Sequence, residues 1–171
     1  NLFQDKYALL RAYGTTAAKA GSTGSNAGST GSKASTGSYA SSKAGTRGRI
    51  GIPMVLNMFE NLPFWHTLLS ELGYEVVLSD HSSRELYTDG QHTIPSDTVC
   101  YPAKLAHGHI ESLLKMGVDM IFYPCLPYNF KEAEADNHYN CPVVAYYPEL
   151  LAANAPALEQ IRFFIPYFGL H

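Results

Sequence analysis

Two short phrases restrict this chain more than any other part of it. ELGYEVVLS (71–79) and KMGVDMIFYP (115–124) each leave an amphipathic stretch through a glycine and two further residues, then enter an apolar run. Glycine tolerates the left-handed backbone that ends a helix, and a short apolar run after it reads as a buried strand. The chain therefore repeats one helix–turn–strand unit, the grammar of a parallel sheet covered by helices.

The neighbouring segments extend that grammar. RIGIPMVL supplies a strand from Arg49, and ENLPFWHTLLSELG places Leu62, Trp65, Leu69 and Leu72 at helical spacing, with Asn61 as cap and Gly73 as stop. SSRELYTDG is a short helix with Ser82 and Glu85 in capping-box spacing and Gly90 at its end. Ala106, Ile110, Leu113 and Leu114 share one face of PAKLAHGHIESLLKMG. CPVVAYYP reads as a fourth strand and LEQIRFFI as a closing helix. The expected fold is α/β: a doubly wound, mostly parallel four-stranded sheet with helices on both faces, over residues 49–171. Ahead of it, residues 1–13 form an amphipathic helix with Phe3, Tyr7 and Leu10 on one stripe. Residues 14–48 hold one aromatic and no branched aliphatic side chain, too little apolar surface to offset chain entropy, and are expected to be a flexible linker.

Charge and cysteine content narrow the function. Twelve basic residues against fifteen acidic ones, scattered along the chain, leave a net charge of -3 and no basic footprint for a phosphate backbone. No nucleic-acid partner is expected, and no apolar run reaches bilayer length. The chain starts at Asn1 without a secretory signal, which suggests a piece of a longer protein. Three cysteines are an odd number and suit a reducing, cytoplasmic compartment better than a disulfide scaffold. The closest approach to a phosphate-binding P-loop, GSTGSKAS, lacks its spacing, and no Ser-His-Asp, H-E-x-x-H or C-x-x-C phrase supports a hydrolase, metalloprotease or thioredoxin-like reading.

In a parallel sheet, helix starts and strand ends gather at the C-terminal edge, where such folds bind ligands. Cys100 precedes a helix and Cys125 follows the third strand, so both are expected there. Cys141 precedes the expected fourth strand and would lie at the opposite edge, roughly 17 Å away. A helix start favours a thiolate, and the prolines of YPCLPY are expected to stiffen a loop and aim the Cys125 sulfur outward. Two readings stay open: thiolates that hold a metal, or buried fillers, since Cys-x24-Cys is not by itself a metal signature. Asn57, Glu60, Asp80, His81, Tyr146, Tyr147 and Glu149 are candidate pocket residues at the same edge, each set against a plain capping or packing role. His107, two helical turns beyond Cys100, reads as a hydrogen-bonded core or surface histidine rather than a ligand to the same metal. The aromatic tail IRFFIPYFGLH reads as a surface for docking another domain.

The phrases GRIGIPMVLNMFENLPFWHTLLSELGYEVVLSD, IPSDTVCYPAKLAHGHIESLLKMGVDMIFYPC and NCPVVAYYPELL occur in one order. Over Arg49 to Ala155 the chain thereby resembles the large acyl-CoA dehydratase activase-related proteins of anaerobic bacteria, although the Gly/Ser/Thr tract departs from them. Those proteins join ATPase modules of the 2-hydroxyacyl-CoA dehydratase activator type to a dehydratase-like, iron–sulfur-binding region. The resemblance implies that Cys100 and Cys125 are two of three cysteine ligands to an iron–sulfur cluster, either [4Fe-4S] or double-cubane, used in ATP-driven electron transfer at low potential. It places the third ligand in a later C-terminal dehydratase-like domain and names that domain, the ATPase activator module and an acyl-CoA substrate as partners. Alone, a chain with two ligands would be inactive and hold no cluster, or take up zinc. The alternative is a non-catalytic α/β interaction or CoA-ester-binding module of the same large protein.

Overall fold

The computed structural model describes residues 5, 8–10, 12 and 47–169. Phe3, Tyr7 and nearly all of the expected linker lie outside them. Residues 5, 8–10 and 12 are helical, with Leu10 packed against the core and Leu9 exposed.

The core is a four-stranded parallel sheet flanked by helices, as the repeated units predict. Its strands are β1 (Arg49–Ile52), β2 (Glu75–Leu78), β3 (Met120–Phe122) and β5 (Arg162–Phe164), in spatial order β2-β1-β3-β5. Register runs Ile50 to Val76 on one side of β1 and Ile50 to Met120 on the other. Helix α1 (Leu62–Glu71) connects β1 to β2. Helices α2 (Arg84–Gly90) and α3 (Tyr101–Lys115) connect β2 to β3. The strand order reverses between β1 and β3, so the crevice at their C-terminal ends is the natural ligand position. Gly73 (φ +89°) and Gly117 (φ +66°) both take the left-handed turn that the repeated phrases call for.

Three local expectations shift. Asn61 occupies the cap position of α1 without a side-chain cap bond, and Leu72 falls beyond the last turn, 46% exposed. The cap of α2 is Ser83 rather than Ser82. Its hydroxyl accepts the Leu86 N–H at 3.1 Å, because the helix begins one residue later than the capping-box spacing suggests. Ser83→Ala is therefore expected to cost about 1 kcal/mol in a urea titration.

The last third of the chain departs further from expectation. CPVVAYYP is not a strand: Pro142–Asn154 is a helix, α4, with Pro142 in its first turn and Pro148 inside it. The β-branched and aromatic residues between two prolines mimic a strand, yet Ala145, Tyr147, Pro148 and Leu151 are buried with a helical period. LEQIRFFI is likewise not a helix. Pro156–Gln160 forms a short 3-10 turn, and Arg162–Phe164 takes the sheet position beside β3 as β5. A second, two-stranded sheet pairs β4 (Cys125–Tyr128) with β6 (Tyr167–Gly169) in parallel. No helix among the described residues is long and apolar enough to cross a membrane.

Candidate functional site

The segment after β1 carries the site. Leu56 is the one described non-glycine residue in the left-handed region (φ +52°), a conformation that strains a side chain with a Cβ. It opens a short 3-10 turn, Leu56–Met58, in which Met58 is buried. Under it lies a cavity of about 850 Å³ walled by Met54, Val55, Leu56 and Phe59 from this segment, His81 and Ser82 after β2, and Pro102 and Leu105 of α3. Asn129, Asn140 and Val144 close the far side. The wall is mostly apolar and its lining includes no Lys or Arg. Such a wall suits an uncharged chain better than a phosphate.

Of the residues singled out from the sequence, Asn57, Glu60 and His81 line this cavity. Asn57 has both side-chain amide atoms buried without a hydrogen-bond partner. Asp80 instead turns to α3, where its carboxylate accepts from the Ser112 hydroxyl at 2.9 Å. Tyr146 and Glu149 lie on the exposed side of α4, Glu149 accepting the Tyr167 hydroxyl and Tyr146 ringed against Tyr167. Neither lines the cavity.

The cysteines are distributed differently from expectation. Cys100 is exposed at the N-cap of α3 with no side-chain cap bond. Cys125 is fully buried rather than outward-facing, because its N–H donates to the Pro166 carbonyl as the first residue of β4, and burial pushes its thiol pKa up. Cys141 does not precede a strand, so the reason for placing it at the opposite edge is removed. The chain folds back after β4: Tyr128 bridges Tyr139 antiparallel, and the Asn140 side chain and N–H donate to the Leu126 and Pro127 carbonyls. Cys141 thus returns alongside β4 and caps α4 with the same extended backbone that Cys100 adopts at α3. Among the described residues no three His, Cys, Asp or Glu side chains gather at metal-binding distance.

Two buried histidines on α3 organise the polar interior. His107 is 1% exposed, 2.6 Å from the Thr93 hydroxyl through Nδ1 and 3.0 Å from the Tyr147 hydroxyl through Nε2. Thr93 spends its one hydrogen on the Gly90 carbonyl, so it accepts from Nδ1–H, and Nε2 accepts from Tyr147. Burial first, and the nearby His92 second, lower the His107 pKa to about 4. Burial raises the Tyr147 phenol to about 12, with Cys100 the next contributor, and pushes up the Tyr123 phenol, to which Tyr147 and Cys125 add. The second histidine, His109, is fully buried between Ser79 (Nδ1 to Oγ 2.7 Å) and Ser82 (Nε2 to Oγ 2.9 Å). Ser79 and Ser82 lie 30 and 27 residues from His109 in sequence, and no local spacing announces the pairing.

Over residues 49–171 the sequence matches the family described as CoA enzyme activase uncharacterised domain. No curated protein and no solved structure matches the chain.

Proposed function

The chain belongs to this CoA enzyme activase domain family, and on that premise we propose that it is the dehydratase-like domain of an activase-related redox protein, with Cys100 and Cys125 contributing to an iron–sulfur cluster. The supporting observations are the family match and the placement of the two cysteines: Cys100 is exposed at the N-cap of α3, and Cys125 opens β4, the strand that follows β3.

The donor set fits such a group in part. Cysteine thiolates are the soft ligands that iron–sulfur clusters take. The Tyr123 hydroxyl, buried without a partner, is the kind of donor that tunes a cluster sulfur. Exposed Cys100 can meet a ligand supplied from outside, whereas Cys125 must lose its proton against the effect of burial. Two sulfurs are an incomplete ligand set. The remainder would come from a further dehydratase-like domain, with an ATPase activator module as the electron source and an acyl-CoA as substrate. The bound cluster would supply the low-potential electron, while this chain's residues hold its sulfur environment.

Anaerobic incubation of the full chain with ferrous iron, sulfide and a small external thiol that supplies the missing ligands tests this reading. Sulfide-to-iron charge-transfer absorbance and an EPR signal on reduction are expected in the wild type and lost in Cys100→Ser and Cys125→Ser. Cys141→Ser, made alongside, reports whether the third thiol takes part. Iron incorporation that survives both of the first two substitutions would sink the proposal.

A further inference from the structure

The histidine chemistry on α3 points to a site that the cysteine reading does not use. We propose that Ser82, His109 and Ser79 form an acyl-transfer site, with Ser82 as nucleophile, His109 as its general base and the cavity after β1 as the pocket for a short acyl chain. Ser82 is exposed in the cavity wall, and its Oγ lies 2.9 Å from Nε2 of His109. The far nitrogen of that imidazole is held at 2.7 Å by Ser79, itself fully buried. A hydroxyl within hydrogen-bond reach of a base whose other face is fixed by a third group is the arrangement that activates serine.

The chemistry calls for one tautomer. One lone pair of the Ser79 oxygen takes the Met54 N–H at 2.8 Å. With the other accepting His109 Nδ1–H, the Nε2 lone pair is left for the Ser82 proton. The cavity supplies the rest: Met54, Val55, Leu105 and Val144 present an apolar wall for the acyl chain. Asn57, in the same wall with an unpartnered side-chain N–H, is the type of donor that stabilises an oxyanion.

In the first half-reaction Ser82 Oγ adds to the acyl carbonyl carbon of an ester or thioester while its proton passes to His109 Nε2. The tetrahedral intermediate collapses with cleavage of the C–O or C–S bond, and the departing oxygen or sulfur takes that proton. Water then adds to the acyl-serine, His109 again holding the proton, and the products are a carboxylic acid and free Ser82. Water is the only co-reactant.

The full chain is treated with a fluorophosphonate probe and digested for mass spectrometry. Hydrolysis of p-nitrophenyl butyrate and of S-butyryl-N-acetylcysteamine is followed in parallel, the two substrates separating an oxygen from a sulfur leaving group. Labelling at Ser82 is expected, together with hydrolysis of one or both substrates that falls roughly 100-fold in Ser82→Ala and in His109→Gln. Ser82 is at the surface, so Ser82→Ala should retain the fold by circular dichroism even if His109→Gln does not. A folded wild-type chain that takes no label, or labelling and hydrolysis unchanged in Ser82→Ala, would overturn the assignment.

Discussion

Lowering the pH from 7 to 4 is expected to remove about 3 kcal/mol of folding stability through His107 alone, from a pKa difference of about 2.5 between the folded and unfolded states. The direction follows from which state binds the proton. In the unfolded chain His107 protonates near its ordinary value of 6.5, whereas in the folded chain it stays neutral down to about 4. The unfolded state thus takes up protons first, and acid pulls the equilibrium toward it. The contribution is complete above pH 6.5, declines between 6.5 and 4, and is exhausted below. Burial is the main cause: an imidazolium at this position would lie in the core and lose its acceptor role toward Tyr147, because both ring nitrogens would then be donors. Urea titrations at pH 7 and 4.5 on the wild type and His107→Gln measure the effect. Exposed carboxylates act equally in both proteins, so the difference between their slopes isolates His107. Equal slopes would show that the imidazole is not held neutral.

The second large effect is expected at the crossing of α2 and α3. A Cβ on Gly108 would sit 2.0 Å from the Leu86 carbonyl oxygen, and one on Gly90 would sit 2.2 Å from the Gly108 nitrogen. Both obstructions are backbone, so no rotamer change relieves them, and the helices must separate. Gly108→Ala is expected to lose about 3 kcal/mol or more, at the upper end of overpacking penalties. Gly117→Ala serves as the comparison. It meets no atom within 4 Å and should cost only about 1 kcal/mol, through its positive φ. Because α3 carries His107 and His109 while Ser82 and Ser83 lead into α2, Gly108→Ala should also weaken the Ser82–His109 pair. Thermal unfolding of the two variants decides the matter. A Gly108→Ala protein as stable as the wild type would mean that the helices do not approach this closely.

Much of the sheet is legible in the sequence alone. The glycine stops at Gly73 and Gly117 and the apolar runs after them are local signals, and they located β2 and β3 and the helices before them. The start of α3 at Cys100 was legible for the same reason, since a proline in the first turn and an apolar stripe at helical period lie within one segment. The closing third was not. CPVVAYYP and IRFFI each carry β-branched or aromatic residues that fit either state, and the free position beside β3 went to Arg162–Phe164. That competition is between segments, and no window of one segment contains it.

The candidate site divides along the same line. Asn57, Glu60 and His81 follow strand ends, so topology alone put them at the C-terminal edge where the cavity opens. Sequence by itself determined the repeated unit, the helix start at Cys100 and the edge where a ligand would sit, because each follows from spacing within a few residues. Only the tertiary structure decided that Cys125 is buried, that Cys141 returns along β4, and that Ser79, Ser82 and His109 meet. Those outcomes depend on hydrogen bonds and packing between residues 11 or more positions apart, which exist only once the sheet has chosen its fourth strand and α2 has closed onto α3.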